Sequence, residues 1–242
     1  MATFVLVSGA WHGSWCWERV APLLTAGGHR VVAPDLLGMC GDPTPPETVT
    51  LAAWADQIAE ILRKESEPVI LVGHSRGGIV ISETAEQVPD RIKTLVYLTA
   101  FILRDGETLA GVAAKGLENL LVPGVIVPAP DGTTTVSADA VERIFYNTTE
   151  AEWLARAIDH LCPEPPAAFD TTISLSADRY GQIPRAYIEC TEDRALPIEL
   201  QREMQANSPC NPVVTLNTDH SPFYSNPVEL AAALISIAAT LS

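Results

Sequence analysis

Positive charge is scarce in this chain. Of its 242 residues 15 are Lys or Arg against 30 Asp or Glu, a formal net charge of −15. Binding to a phosphate backbone needs clustered cations to displace counterions, so nucleic acid and anionic membrane surfaces are not expected partners. Long apolar runs are missing as well. No stretch approaches the ~18 residues of a transmembrane helix; the apolar run over 228–241 is shorter and carries Glu229. Met1-Ala2-Thr3 leads straight into a short apolar segment, without the basic and apolar regions of a secretory signal, so a cytoplasmic protein is the default expectation. Cysteine is sparse. The five residues, Cys16, Cys40, Cys162, Cys190 and Cys210, are odd in number, widely spaced and free of CxxC pairs or zinc-ligand spacing, which predicts reduced thiols and no metal site.

What is present is the composition of a globular protein: with 47% hydrophobic and 19% charged residues, disorder and coiled coil are both excluded. At this length a fold buries roughly 70% of the surface of its unfolded chain, enough for one self-sufficient domain. No pattern fixes the oligomeric state, and a homodimer is compatible with it.

Short β-type runs at 4–7, 30–33, 69–72, 93–98, 186–190 and 213–216 alternate with helical patterns. Nearly continuous apolar strands between helices predict an α/β architecture, a mostly parallel twisted sheet covered on both faces. Thr50 is placed to cap a helix whose apolar face runs from Leu51 to Leu62, and Asn226, Pro227 and Glu229 suit the start of the last helix. An earlier helix, 15–26, should stop at Gly27-Gly28. The alternation breaks over 102–182, where Pro, Thr, Ala and Gly accumulate around one amphipathic piece at 138–158. This predicts a core of 1–101 and 183–242, with 102–182 as a cap insertion.

The strand 69–72 enters Gly73-His74-Ser75-Arg76-Gly77-Gly78 and then a helical stretch. This is GxSxG in the strand-turn-helix context that lets a serine nucleophile project from a sharp, strained turn with small residues two positions to either side. A serine hydroxyl is a weak nucleophile and needs a histidine base oriented by a carboxylate. His220 follows the last strand candidate in a short polar loop and is the expected base. His74 should point away from the serine, while His29 and His160 read as surface or structural residues. For the acid, Asp193 closes the penultimate strand and gives the order Ser, Asp, His, with Glu192 on the other face. Asp219 lies awkwardly close to His220, and Asp105 is the fallback. The oxyanion formed on attack needs two backbone N–H donors, for which Arg76 and Ala10, in the loop Ser8-Gly9-Ala10-Trp11-His12-Gly13, are the candidates.

With these segments in hand the chain resembles the α/β-hydrolase superfamily, specifically the branch of plant methylesterases, hydroxynitrile lyases and related bacterial carboxylesterases. The resemblance runs nearly full length and is carried by residues 4–15, 72–78, 187–193 and Asp219-His220. It implies a Ser75, Asp193, His220 triad under a small, mainly helical cap, with oxyanion donors from Ala10 and Arg76, a small-molecule ester as partner and no cofactor. Three positions individualise it. Ser8 replaces the usual histidine of the oxyanion loop. Lyases of the branch have threonine at the position of Gly9 and lysine at that of Ser221, so hydrolysis is the stronger reading. Arg76 replaces the usual Leu or Met after the nucleophile, with consequences expected for how the cap closes. Phe101, Phe145, Trp153 and Phe223 are the aromatic candidates for the substrate pocket. The alternatives are a lyase or lactonase using the same site, or a small-ligand receptor of the same fold that does not turn its ligand over.

Overall fold

The computed structural model describes residues 1–240. In chain order its elements are β1 (Thr3–Val7), α1 (Ala21–Ala26), β2 (Arg30–Val32), α2 (Leu51–Lys64), β3 (Val69–His74), α3 (Gly77–Gln87) and β4 (Ile92–Leu98). There follow α4 (Leu109–Ala113), β5 (Ile126–Pro128), β6 (Thr134–Val136), α5 (Ala138–Ala140) and α6 (Ala151–His160). The chain closes with β7 (Arg185–Cys190), α7 (Ile198–Asn207), β8 (Val213–Leu216), α8 (Pro222–Ser225) and α9 (Pro227–Thr240).

Six strands form one parallel sheet in the order β2-β1-β3-β4-β7-β8. Successive side chains of a strand leave on opposite faces, and the core divides accordingly. Val5, Val7, Val69 and Leu71 pack with Trp54 and Ile58 of α2 and Val80 of α3. Phe4, Leu6, Ile70 and Val72 pack with Leu24 of α1 and Leu230, Leu234 and Ile237 of α9. The chain moves outward from β1 to β2 and then crosses back to β3, so the order reverses between β1 and β3. The carboxyl ends of these two strands open a crevice there, the place where α/β sheets bind ligands. Because all six strands are parallel, the loops after β7 and β8 emerge on the same edge.

Local signals position the flanking helices. Thr50 Oγ1 accepts the Ala53 N–H at 3.0 Å, and Asn226 Nδ2 donates to Glu229 Oε2 at 2.7 Å at the start of α9. Two expected helices are broken instead. Over 15–26 a 3₁₀ turn, Ser14–Trp17, precedes α1, because Pro22 has no N–H to give a continuous helix and fits only its first turn. Over 138–158, α5 widens into a π-helical turn, Val141–Phe145, and the chain restarts as α6. Asp219 makes the break: its Oδ2 accepts the Thr148 N–H and the Thr149 hydroxyl, both at 2.9 Å.

The cysteines depart from the expectation of reduced thiols. Cys40 and Cys162, 122 residues apart in sequence, form a disulfide with Cα atoms 5.2 Å apart, while Cys16, Cys190 and Cys210 are free. Neither wide spacing nor an odd count forbids a pair that the fold brings together. Among the described residues no helix is long and apolar enough to cross a membrane, and no His, Cys, Asp and Glu group could hold a metal ion.

Candidate active site

Ser75 sits between β3 and α3 with φ of 52°, a left-handed conformation that a non-glycine residue adopts only under constraint. The constraint is visible: the Ser75 N–H donates to Leu98 O at 3.2 Å and its carbonyl accepts the Phe101 N–H at 3.1 Å, tying the turn to the end of β4. Small neighbours make the turn possible. A Cβ on Gly73 would lie 2.7 Å from Gly77 O, and one on Gly77 2.9 Å from Ser8 O.

His220 leaves the sheet edge after β8 and Asp193 after β7. His220 Nδ1 donates to Asp193 Oδ2 at 2.6 Å, which leaves Nε2 free of that bond. Asp193 is itself fixed by three further donors: the Ala195 and Leu196 N–H groups bind Oδ1 at 2.7 and 2.8 Å, and the Thr99 hydroxyl makes a short bond to Oδ2. A buried carboxylate so surrounded has its lone pairs satisfied and a single orientation. Asp105 is exposed and accepts the Leu175 N–H, far from this role, and Glu192 is exposed.

His74 turns away from Ser75, and its Nε2 donates to His220 O at 2.8 Å. Burial, with the neighbouring His220 and His12, holds its pKa well below the usual value, so it stays neutral. His12 is neutral too: burial pushes its pKa down to about 3. Its Nδ1–H therefore donates to Ala10 O at 2.7 Å, leaving Nε2 to accept the Tyr146 hydroxyl at 2.6 Å. Ser8, where a histidine is usual, closes the same loop by donating its hydroxyl to His12 O at 2.9 Å. Among the described residues, neither the Ala10 nor the Arg76 backbone N–H has a hydrogen-bond partner.

The Arg76 side chain is turned inward. Its Nε and Nη2 pair with Glu164 Oε1 and Oε2 at 2.8 and 3.2 Å, Nη2 also reaches Gly9 O at 3.1 Å, and the guanidinium lies 4.3 Å from the Trp54 ring centre. Glu164, from the segment between α6 and β7, also accepts the Trp11 N–H at 3.1 Å. Burial raises the Glu164 pKa, with Arg76 opposing the rise. Sequence reasoning missed Glu164, Thr99 and the part His12 plays. Glu164 stands in a proline-rich run with no periodicity, and only its charge amid Cys162-Pro163 and Pro165-Pro166 could have drawn attention.

Ser75 and His220 line one narrow cavity of about 30 Å³ together with Ala10, Arg76 and an otherwise apolar wall. Phe101 comes from the loop after β4, Phe145 from the π-helical turn, Leu109 from α4, and Leu117, Leu120, Phe169, Ala195, Leu196 and Trp11 complete it. Two of the aromatic candidates lie elsewhere. Trp153, half-buried on α6, packs against Tyr224 and lies beneath the Arg19 guanidinium at 4.1 Å, away from the cavity. Phe223 is fully buried behind the site, edge-on to His74, His12 and Trp17. The helical period places an aromatic on a face, but not on the face that meets the cavity.

Comparisons with known proteins bear on the family and the fold. Residues 4–233 match the model of the "Alpha/beta hydrolase family". Methylesterase 1 of Arabidopsis thaliana is 34% identical over 97% of this chain and 95% of its own length. The pyrethroid hydrolase of Sphingobium wenxiniae is 33% identical over 97% of this chain and 86% of its own. Among solved structures, an H243A variant of tomato methylketone synthase I, complexed with beta-ketoheptanoate, superposes with a TM-score of 0.90 at 27% identity. That superposition covers 100% of this chain and 99% of the synthase.

Proposed function

Because this chain belongs to the alpha/beta hydrolase family and is a carboxylic ester hydrolase, we propose that it cleaves its substrates through an acyl-enzyme on Ser75. One observation carries the reading: Ser75 and His220 open onto the same cavity while His220 Nδ1 is bonded to Asp193. With Nδ1–H committed to the carboxylate, Nε2 is the basic nitrogen, the tautomer a general base needs. Ser75 Oγ attacks the ester carbonyl as its proton passes to His220 Nε2. The unpartnered N–H groups of Ala10 and Arg76 take the negative charge that develops on the carbonyl oxygen. Collapse expels the alkoxide, which takes the proton from His220. Water activated by the same histidine then releases the acid and restores Ser75.

The apolar cavity wall supports esters of small to medium apolar or aromatic groups. Phe101 and Phe145 supply its aromatic contacts in this reading. Hydrolysis fits better than lyase chemistry, because a Cβ on Gly9 would lie 2.8 Å from both Ser75 Cβ and His74 Nδ1, leaving no room for a lyase-type threonine. Ser221, fully buried, brings no cation to hold a leaving cyanide.

The test is hydrolysis of p-nitrophenyl esters from acetate to octanoate, with a fluorophosphonate probe, by wild type and Ser75→Ala. Turnover and labelling should both vanish in the variant. Labelling that persists, or a folded wild type that does not label, overturns the mechanism.

A further inference from the structure

We propose that Glu164 is a positioning residue for the oxyanion loop, acting together with Arg76; the inference rests on the Ser75 reading above. The loop after β1 needs an external hold. Trp11 has φ of 62°, an unfavourable left-handed conformation for a bulky side chain, and it follows directly on Ala10, whose N–H must stay free and aimed at the reacting carbonyl. The segment carrying Glu164 grips Trp11 at both backbone groups. Glu164 Oε2 accepts its N–H at 3.1 Å, and the Cys162 N–H donates to its carbonyl at 3.0 Å.

Arg76 completes the arrangement from the other wall. It holds the Glu164 carboxylate through two hydrogen bonds and, through Nη2, reaches the carbonyl of Gly9 on the near side of Ala10. The backbone of Arg76 offers the second free donor. One ion pair thus links both sources of the oxyanion donors and sets the distance between them. The pair is enclosed, with side chains 2% and 6% exposed, so water does not compete for its hydrogen bonds. It also cancels its own charge. A lone carboxylate so near the developing oxyanion would oppose the reaction, and Arg76 neutralises it.

The experiment compares wild type with Glu164→Gln, Glu164→Asp and Glu164→Ala. Each is titrated with a fluorophosphonate to count active sites, and rates are expressed per active site, so partial unfolding does not enter. Inhibition by a trifluoromethyl ketone, whose serine adduct carries an oxyanion, is measured beside binding of the corresponding unreactive alcohol. Gln keeps an acceptor for the Trp11 N–H and should hold kcat/KM within about fivefold. Asp is one methylene short of spanning both partners, and it and Ala should lose about 10- to 100-fold, below the loss on deleting an oxyanion donor outright. The loss should lie in kcat, with ketone affinity falling in proportion and alcohol affinity unchanged. If Ala does not fold, Asp carries the comparison. Kinetics within twofold of wild type in the Asp and Ala variants that fold, or a loss confined to KM with ketone affinity intact, overturns the proposal. A wild type that does not label at Ser75 overturns the hydrolytic mechanism itself. A wild type that labels there, with unimpaired Glu164 variants, overturns only this inference.

Discussion

His74 Nε2 donates to the backbone carbonyl of His220 at 2.8 Å, with the two rings 4.7 Å apart. The residue next to Ser75 therefore fixes the backbone of His220, the base of the proposed mechanism, although it points away from the serine. His74→Leu removes that donor and leaves a buried carbonyl unpaired. The expected outcome is a loss of about 10- to 100-fold in kcat with KM little changed, the scale of a small misplacement of reacting groups. Steady-state kinetics on a p-nitrophenyl ester checks it.

The neutral, buried His12 makes stability depend on pH. Its pKa is about 3 in the folded chain, against an ordinary 6.5, so between these values the unfolded chain binds the extra proton. Its contribution is complete above pH 6.5 and declines as pH falls toward 3, with roughly 3 kcal/mol lost by pH 4.5 at 1.36 kcal/mol per pKa unit. Buried His74, also shifted down, adds to the same trend. Urea unfolding at pH 7 and pH 5 should show the decline, and His12→Gln should reduce it to the part that His74 contributes.

Gly9 separates the loop after β1 from the turn that carries Ser75. A Cβ there would meet Ser75 Cβ and His74 Nδ1, both at 2.8 Å. Gly9→Ala should therefore lower kcat by at least tenfold and lower the thermal midpoint as well, because the two loops must move apart to admit the methyl group and, in the proposed mechanism, the donor then cannot reach its oxyanion. Kinetics and thermal unfolding of the same preparation separate the two effects.

The Cys40–Cys162 bridge closes a long loop and constrains the unfolded chain. The chain-entropy argument gives about 5 kcal/mol for a loop of this size, and measured disulfides typically contribute about 2–4 kcal/mol. Cys40→Ser with Cys162→Ser should lower the thermal midpoint by roughly 5–15 °C. Reduction of the wild type with dithiothreitol should reproduce the shift and leave the double variant unchanged.

Much of this protein was legible in one dimension. The six sheet strands are apolar runs because both faces of the sheet are covered, and Thr50 marks the start of α2 through a bond to a residue three positions on. The elbow at Ser75 was legible for the same reason: the strained turn and the small residues that relieve it are consecutive. The break at Thr148 and Thr149 was not, because Asp219, some 70 residues away, makes it. Phe223 and Trp153 read like Phe101 and Phe145, yet only the latter two meet the cavity.

The sequence by itself determined the α/β order, the strained turn at Ser75 and which residue types close the chain with a histidine and a carboxylate, since each is a pattern of neighbours governed by backbone geometry and local hydrogen bonding. The tertiary structure alone decided that Cys40 meets Cys162, that His74 holds His220, and that Arg76 finds its counter-ion in Glu164, 88 residues on. Those pairings satisfy buried polar groups and sulfur atoms across layers of the fold, and burial is a property of the assembled chain that no stretch of it carries alone.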